Sequence, residues 1–263
     1  MSAPKIDTSV PHPARVYDYW LGGKDNYAAD RQVAEAVIAA TPGVVRGARE
    51  NRAFLGRSVR FLAEQGIDQF LDIGTGIPTA GNTHEVAQSV NPAARVAYVD
   101  NDTIVMVHAR ALLTSTPEGM TTYIEADLRE PRTILDHPDV TKVLDFSRPV
   151  GIIIIGTLMH IKDEDDPWGA VKQFTDATCP GSYLAITHLT ADFEPELMGT
   201  LAKNYNTGPL LMTNRTAEEV GRFFEGFELV EPGLVWTPEW RPDEPIPADG
   251  VRGGYGAVGR KLG

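Results

Sequence analysis

Apolar and polar positions change rhythm several times along the chain, and each rhythm predicts an element. Between Arg46 and Gly66, RGARENRAFLGRSVRFLAEQG sets Phe54, Leu55, Val59 and Leu62 at helical spacings, with Arg and Glu on the other face and Gly66 suited to close the helix. Short apolar runs then alternate with helical patterns. QFLDIG, RVAYVD, TTYIEAD, PVGIIIIGTL and SYLAITHL read as strands; NTHEVAQSV, TIVMVHARALL, a stretch near PRTILDHP and PWGAVKQFTDATC read as the helices between them. This alternation, with the near-continuous GIIII, predicts an α/β fold in which a parallel sheet is covered by helices on both faces.

Both ends depart from that rhythm. After a Pro-rich lead-in, ARVYDYWLGGKDNYAADRQVAEAVIAATPG holds a turn at LGGKDN and then a helix that stops at Thr41-Pro42-Gly43. Near the other end, Thr216 and Glu219 form a capping-box pattern ahead of a helix. FELVEPGLVW and GYGAVGRKL follow, joined by the Pro-rich TPEWRPDEPIPADG, and read as two last strands added antiparallel at the sheet edge. Between strand SYLAITHL and that helix, Met198, Leu201 and Tyr205 recur at helical spacing, as core residues or as the wall of an apolar acceptor site. The expected organisation is one domain, with residues 1–66 as a helical cap packed on a core of residues 67–263.

Composition narrows the function. A chain of 263 residues can bury one substantial core. Its 24 Lys and Arg against 36 Asp and Glu give a net charge of -12, which disfavours nucleic acid as a partner. Cys179 is the only cysteine, so neither an intrachain disulfide nor a Cys-rich metal cage is available, and no His or acidic spacing suggests a metal site. No apolar run is long enough for a signal peptide or a membrane span, so the expected location is the cytoplasm, with no membrane partner.

The chemistry gathers at the strand ends. QFLDIGTGIPTAGNTHE runs from strand into a glycine turn, but where a pyrophosphate fingerprint needs a third glycine it has Thr79. Asp72, just before Gly74, Thr75 and Gly76, opposes a pyrophosphate and suits a cationic ligand. S-adenosylmethionine, with an ammonium, a sulfonium and no phosphate, meets that requirement. Asp100 lies 24 residues beyond Gly76, at the end of the second strand and next to Asn101, where an acid accepts from a ribose diol. After the third strand, Asp127 is placed to accept from an adenine amine and the Leu128 N–H to meet a ring nitrogen. Each Asp alone also suits helix N-capping. Together they line one sheet edge in the order an adenosine cradle needs.

FLDIGTG, YVDND and IEADLRE resemble the motifs of class I S-adenosylmethionine-dependent methyltransferases. More narrowly, ARVYDYWLGGKDNYAADR, RENRAFLGRSVRFL and GIPTAGNTHEVAQ resemble the bacterial S-adenosyl methyltransferase family, formerly a domain of unknown function. The resemblance runs from about Ala14 to Lys261. It implies a Rossmann-like, seven-stranded, mostly parallel sheet in the order 3-2-1-4-5-7-6, with strand 7 antiparallel and the N-terminal segment folded over the cofactor. In that arrangement Gly22 and Gly23 would let backbone approach the ligand, Tyr17 and Trp20 would wall the pocket, and Lys24 and Asp25 would meet the methionine end.

The resemblance also places the transferable methyl and the acceptor at GIIIIGTLMHI, where Gly156 and Thr157 would line the cofactor. His160 stands three residues on, as a base or an orienting group for an acceptor, or as a structural residue. His188 holds the analogous place after the next strand. The expected activity is methyl transfer from S-adenosylmethionine to a small-molecule acceptor by in-line displacement, leaving S-adenosylhomocysteine. A homo-oligomer is compatible with it. The competing readings are a non-catalytic protein that binds the same nucleosides and an NAD-dependent oxidoreductase.

Overall fold

A computed structural model describes residues 7–112, 114–206, 210–246 and 250–263. The start of the Pro-rich lead-in and residues 247–249 of the Pro-rich loop lie outside them. Three helices come first: α1 (Pro13–Trp20), α2 (Ala28–Ala40) and α3 (Val44–Glu64). Next are β1 (Gln69–Ile73), α4 (Thr83–Val90), β2 (Arg95–Asp100), α5 (Thr103–Leu112) and β3 (Met120–Glu125). Two short helices, α6 (Pro131–Leu135) and α7 (Pro138–Val143), lead to β4 (Gly151–Ile155), α8 (Pro167–Asp176) and β5 (Tyr183–Leu189). The chain ends with α9 (Pro195–Tyr205), α10 (Ala217–Gly221), β6 (Phe227–Leu229), β7 (Val235–Trp236) and β8 (Gly254–Lys261).

The strands form one sheet in the order β3-β2-β1-β4-β5-β8-β6, with β7 also paired to β8. The first five strands are parallel, and β8 runs antiparallel to β5 with Ala185 opposite Val258. Eight strands replace the expected seven because the edge strand is interrupted. Pro232 has no N–H to give the ladder, and the chain turns at Gly233, so β6 and β7 pair with different ends of β8. With β6 and β7 counted as one broken strand, the order is the 3-2-1-4-5-7-6 that the resemblance implies.

Alternate strand residues feed two apolar layers. Leu71, Ile152, Ile154, Leu184 and Ile186 face α6, α7 and α8, packing with Ile134, Val140 and Phe174. Phe70, Val96, Ile153 and Ala185 face α3, packing on Phe54, Val59 and Leu62. The amphipathic stripe read from the sequence is therefore the face that α3 lays on the sheet, and Gly66, at φ 89°, takes the left-handed turn just past its end. A third layer joins Val16, Trp20, Ala34, Val37 and Ala48 of the first three helices to Met198, Leu201 and Tyr205 of α9. Buried Asp30 ties this cap together, accepting from the Arg15 guanidinium at 3.1 Å and from the N–H groups of His12 and Tyr27. Among the described residues, no helix is long and apolar enough to cross a membrane.

Candidate functional site

The carboxyl ends of β1, β2 and β4 and the loop after β3 open into a cleft, roofed by residues of α1 and α3. Asp72, Gly74, Thr75, Gly76, Asp100, Asn101, Asp127, Leu128, Gly156 and Thr157 all line it, as do Tyr17 and His160. Adjacent parallel strands end side by side, which is why residues far apart in sequence meet along one edge. Gly22, Gly23 and Lys24 do not reach it. The turn they form wraps the carboxylate of buried Asp18, which accepts from the Asp25 N–H and the Asn26 amide, and a Cβ on Gly23 would collide with that carboxylate. Lys24 is exposed, and Asp25 lies 3.8 Å from His108.

Gly74 and Gly76 differ in what their missing Cβ permits. Both take left-handed backbone, at φ 73° and 68°. A Cβ on Gly74 would strike the Thr157 side chain, so this glycine lets the end of β4 cross close over β1. At Gly76 a Cβ would meet nothing within 4 Å, so bare backbone borders the open cleft. Asp100 supports it from below: one carboxylate oxygen accepts from the Gly76 N–H at 2.8 Å and the other from Asp102 N–H at 2.9 Å. Burial pushes the Asp100 pKa up against those hydrogen bonds. Each of its oxygens keeps a lone pair for a ligand hydroxyl.

Asp72 is the most unusual group in the cleft. It is 3% exposed, and its one hydrogen bond among the described residues is from the Thr83 hydroxyl, at 2.5 Å. Burial pushes its pKa up to about 6; the Thr83 bond and the Arg52 cation work against the rise, and the Asp100 charge adds to it. A buried carboxylate held this way accommodates a cationic ligand. Phosphate finds no such welcome. The helix after the glycine turn starts only at Thr83, and its leading N–H groups, Gly81 and Asn82, are taken by the Glu85 carboxylate at 2.8 and 2.9 Å. With Glu85 on the helix N-terminus and Asp72 beneath it, the place a pyrophosphate would need is already negative.

Asp127 is held more firmly than its sequence position suggests. Arg129 grips it bidentately, at 3.0 and 2.6 Å, and donates a backbone bond as well, which keeps the Asp127 carboxyl below the usual range. The Leu128 N–H has no protein partner among the described residues.

Behind the cleft lies a second, mainly apolar chamber, between the cap, α9 and the ends of β4 and β5. Tyr17, Asn51, Gly156 and His160 line both spaces. A hydrogen-bond chain braces this shared wall. The Tyr17 hydroxyl donates to Ala48 O at 2.8 Å and accepts from the Asn51 amide at 3.0 Å. The Asn51 carbonyl accepts from Thr187, whose oxygen accepts from the Gly156 N–H.

The two candidate histidines differ. His160 donates from Nδ1 to Leu211 O at 2.6 Å, which leaves Nε2 as an acceptor without a protein partner among the described residues; burial lowers its pKa, so the ring is neutral. His188 uses both nitrogens, Nδ1 toward Leu189 O and Nε2 accepting from Arg215 at 2.6 Å. Burial, with the Arg215 cation beside it, pushes its pKa down to about 3. His188 is thus a structural group.

Several site residues escaped the sequence reading. Arg52 lines the cleft beside Asp72, bonds to Asn82 through Nη2 and has a buried, unpartnered Nε. Asn51 and Arg52 lie on the polar side of α3, where nothing in RENRAFL separates them from the neighbouring charges. His12, from the lead-in, reaches Asp102 at 3.0 Å across the mouth. Arg215, 2% exposed, donates to Leu158 O, Ile161 O and Asp163 and so holds the turn that carries His160. Among the described residues no group of His, Cys, Asp and Glu could hold a metal ion.

A model of the family described as S-adenosyl methyltransferase matches residues 1–262. The chain is similar to a solved DUF574 family protein from Streptomyces avermitilis, at 48% identity over 98% of this chain and 100% of that one, with a TM-score of 0.94. It is similar at 47% identity to a solved candidate methyltransferase from Thermobifida fusca, over 98% of this chain and 97% of that one, with a TM-score of 0.90. A SAM-dependent methyltransferase from Anabaena variabilis shares the fold at 12% identity, over 99% of both chains, with a TM-score of 0.50. No curated protein matches the chain.

Proposed function

The chain belongs to the S-adenosyl methyltransferase family, and from that premise we propose that the cleft holds S-adenosylmethionine and the chamber behind it a small-molecule methyl acceptor. The protein is an S-adenosylmethionine-dependent methyltransferase. Buried Asp72, without a full counter-charge and facing an open cleft, is the observation that carries the cofactor's placement. A neutral or anionic ligand would leave it uncompensated, whereas an ammonium satisfies it.

The other lining groups fit the rest of the nucleoside. Asp100 has lone pairs for the two ribose hydroxyls, and bare backbone borders the cleft at Gly76, with Gly74 and Thr75 lining it alongside. Asn101, Asp127 and the Leu128 N–H border the adenine end, and Tyr17, Gly156 and Thr157 border the methyl end. Arg52 offers its free Nε to the methionine carboxylate. Gly22, Gly23 and Lys24 act at one remove, through the turn that ends α1 and sets Tyr17 over the cleft.

When bound, S-adenosylmethionine supplies a methyl group already activated by its sulfonium, so the chain has three tasks: to align the acceptor, to exclude water and to take up a proton where the acceptor carries one. The braced wall of Tyr17, Asn51, Thr187 and Gly156 fixes the boundary at which donor and acceptor meet. His160 Nε2, neutral and on that boundary, is the group that would accept the proton at near-neutral pH.

Isothermal titration with S-adenosylmethionine, S-adenosylhomocysteine and NAD at one salt concentration tests the placement. Both sulfur nucleosides should bind and NAD should not. Binding of NAD alone would overturn the reading.

A further inference from the structure

A neutral imidazole accepts a proton at Nε2 only while its one hydrogen sits on Nδ1, so the group that holds Nδ1–H decides whether His160 can serve. That group is Leu211 O, 2.6 Å away. It belongs to the stretch between α9 and α10, whose described residues form neither helix nor strand. A carbonyl on such a stretch controls the ring only if something fixes its direction.

The Leu211 carbonyl shares one peptide unit with the Met212 N–H, and a trans peptide is planar with these two groups on opposite sides. The Met212 N–H donates to Asn206 Oδ1 at 2.6 Å, and the Asn206 amide nitrogen donates back to Met212 O at 3.0 Å. Together the two bonds permit a single orientation of the amide, because an N–H only donates and a carbonyl only accepts. Asn206 is itself anchored at the end of α9, where its backbone N–H donates to Ala202 O. One line of bonds therefore runs from α9, through the Leu211–Met212 peptide plane, to His160 Nδ1. A peptide whose N–H is already donating has a more negative oxygen, so the Asn206 bond also strengthens the hold of Leu211 O on Nδ1–H.

The other neighbours fix different things. Tyr205, next to Asn206 in the chain, lays its ring against the His160 ring, with centroids 5.8 Å apart and planes at 28°. Arg215 holds the backbone of the turn through Leu158 O and Ile161 O. Neither contact selects which nitrogen carries the hydrogen. The peptide also lies where the two spaces meet, since Leu211 lines the cleft and Met212 the chamber, whereas Asn206 lines neither.

We propose that Asn206 is a positioning residue for methyl transfer: acting through the Leu211–Met212 peptide, it holds His160 in the Nδ1–H tautomer and keeps Nε2 open to the proton that the acceptor gives up. A neutral peptide here takes the place that a carboxylate holds behind the histidine of a hydrolytic triad. The inference rests on His160 being the proton acceptor of the proposed reaction.

Asn206 is exposed, so replacing it opens no cavity in the core. The test is nitrogen-15 NMR of the imidazole rings of the full chain at neutral pH, with the His160 signals assigned by their loss in His160→Gln. Wild-type His160 should show the Nδ1–H pattern. Asn206→Ala should lower the ratio of Nδ1–H to Nε2–H forms about two- to tenfold, the worth of one hydrogen bond. Asn206→Asp keeps an acceptor for the Met212 N–H and should keep the wild-type ratio. Asn214→Ala removes another anchor of the same stretch, the bond from the Asn214 amide to Met198 O, without touching the peptide plane, and should also leave the ratio unchanged. Calorimetry should find the same affinity for S-adenosylhomocysteine in all three variants. An unchanged ratio in Asn206→Ala would overturn the proposal, as would an equal fall in Asn206→Asp or Asn214→Ala, or a loss of S-adenosylhomocysteine affinity in Asn206→Ala. A wild-type ring in the Nε2–H form would remove His160 as proton acceptor and this inference with it, while binding of S-adenosylhomocysteine to the same protein would leave the cofactor site standing.

Discussion

The cleft and the chamber share Tyr17, Asn51, Gly156 and His160 as a common wall, but their remaining walls are made differently. In the cleft, the groups that would touch a ligand are carboxylates and bare backbone at strand ends, each held by one to three hydrogen bonds, from Thr83 to Asp72 up to the grip of Arg129 on Asp127. In the chamber, Met198, Leu201 and Tyr205 are at once the wall and the apolar layer that fastens the cap to α9. The difference concerns how separable binding is from folding. A cleft residue can lose its ligand contact while the sheet stays intact, whereas a chamber residue changed for specificity also changes the core.

The largest expected effect is on the chamber side. Arg215 reaches two backbone carbonyls, Asp163 and His188, and stacks over Trp168 at 5.0 Å. Arg215→Leu removes all of these donors and leaves the carbonyls of Leu158 and Ile161 short of a partner. A loss of about 3–5 kcal/mol of folding stability is expected, read by chemical denaturation at neutral pH. A loss below about 1 kcal/mol would show that the support Arg215 gives from behind to His160 and His188, which line the chamber, is not part of the core, and would dissolve the contrast.

On the cleft side the effect should move from folding to binding. Asp100→Ala removes the acceptor for the ribose hydroxyls, and an affinity loss of about 1.5–3 kcal/mol for S-adenosylhomocysteine is expected by calorimetry. Its unfolding midpoint should fall less than that of Arg215→Leu, because ionised Asp100 is itself penalised by burial. Unchanged affinity in a folded variant would remove Asp100 from the cofactor site.

The same contrast governs what the sequence makes legible. Strand ends of a parallel sheet meet along one edge, so the placement of Asp72, Asp100, Asp127 and Gly156 in one cleft follows from element order alone. The hold of Arg129 on Asp127 lies in plain view in ADLRE, yet neighbours two apart along a loop carry no periodicity that announces a pair. DYWLGGKDN is specific to the family resemblance, but in space Gly23 makes room for the Asp18 carboxylate, while Gly22 takes a left-handed turn with nothing near its missing Cβ. The chamber joins α1, the turn after α2, α9 and the segment around Met212, and no local pattern encodes which of these meet. Arg215 and His188, 27 residues apart, become partners only through that packing.

The smallest effect is the most specific to the cleft, since it depends on the state of one proton. Asp72 has its pKa raised from 3.8 to about 6 by burial. Because the folded value lies above the unfolded one, ionising Asp72 costs stability as pH rises between those values, by about 3 kcal/mol in the free protein above pH 6. A ligand ammonium reverses the preference, so binding near pH 6 should expel a proton. Calorimetry at that pH in two buffers of different ionisation heat should give different apparent enthalpies. Between pH 7 and pH 5 the ionised fraction falls about tenfold, and affinity for S-adenosylhomocysteine should fall by about the same factor, roughly 1.4 kcal/mol. Arg52, Thr83, Asp100 and Tyr98 surround the same carboxylate, and Asp100, also raised by burial, titrates with the same sign. Asp72→Asn separates the two: it should flatten most of the pH dependence and abolish most of the buffer dependence. A profile as steep in that variant as in the wild type would assign the proton to Asp100 and leave Asp72 without a ligand cation.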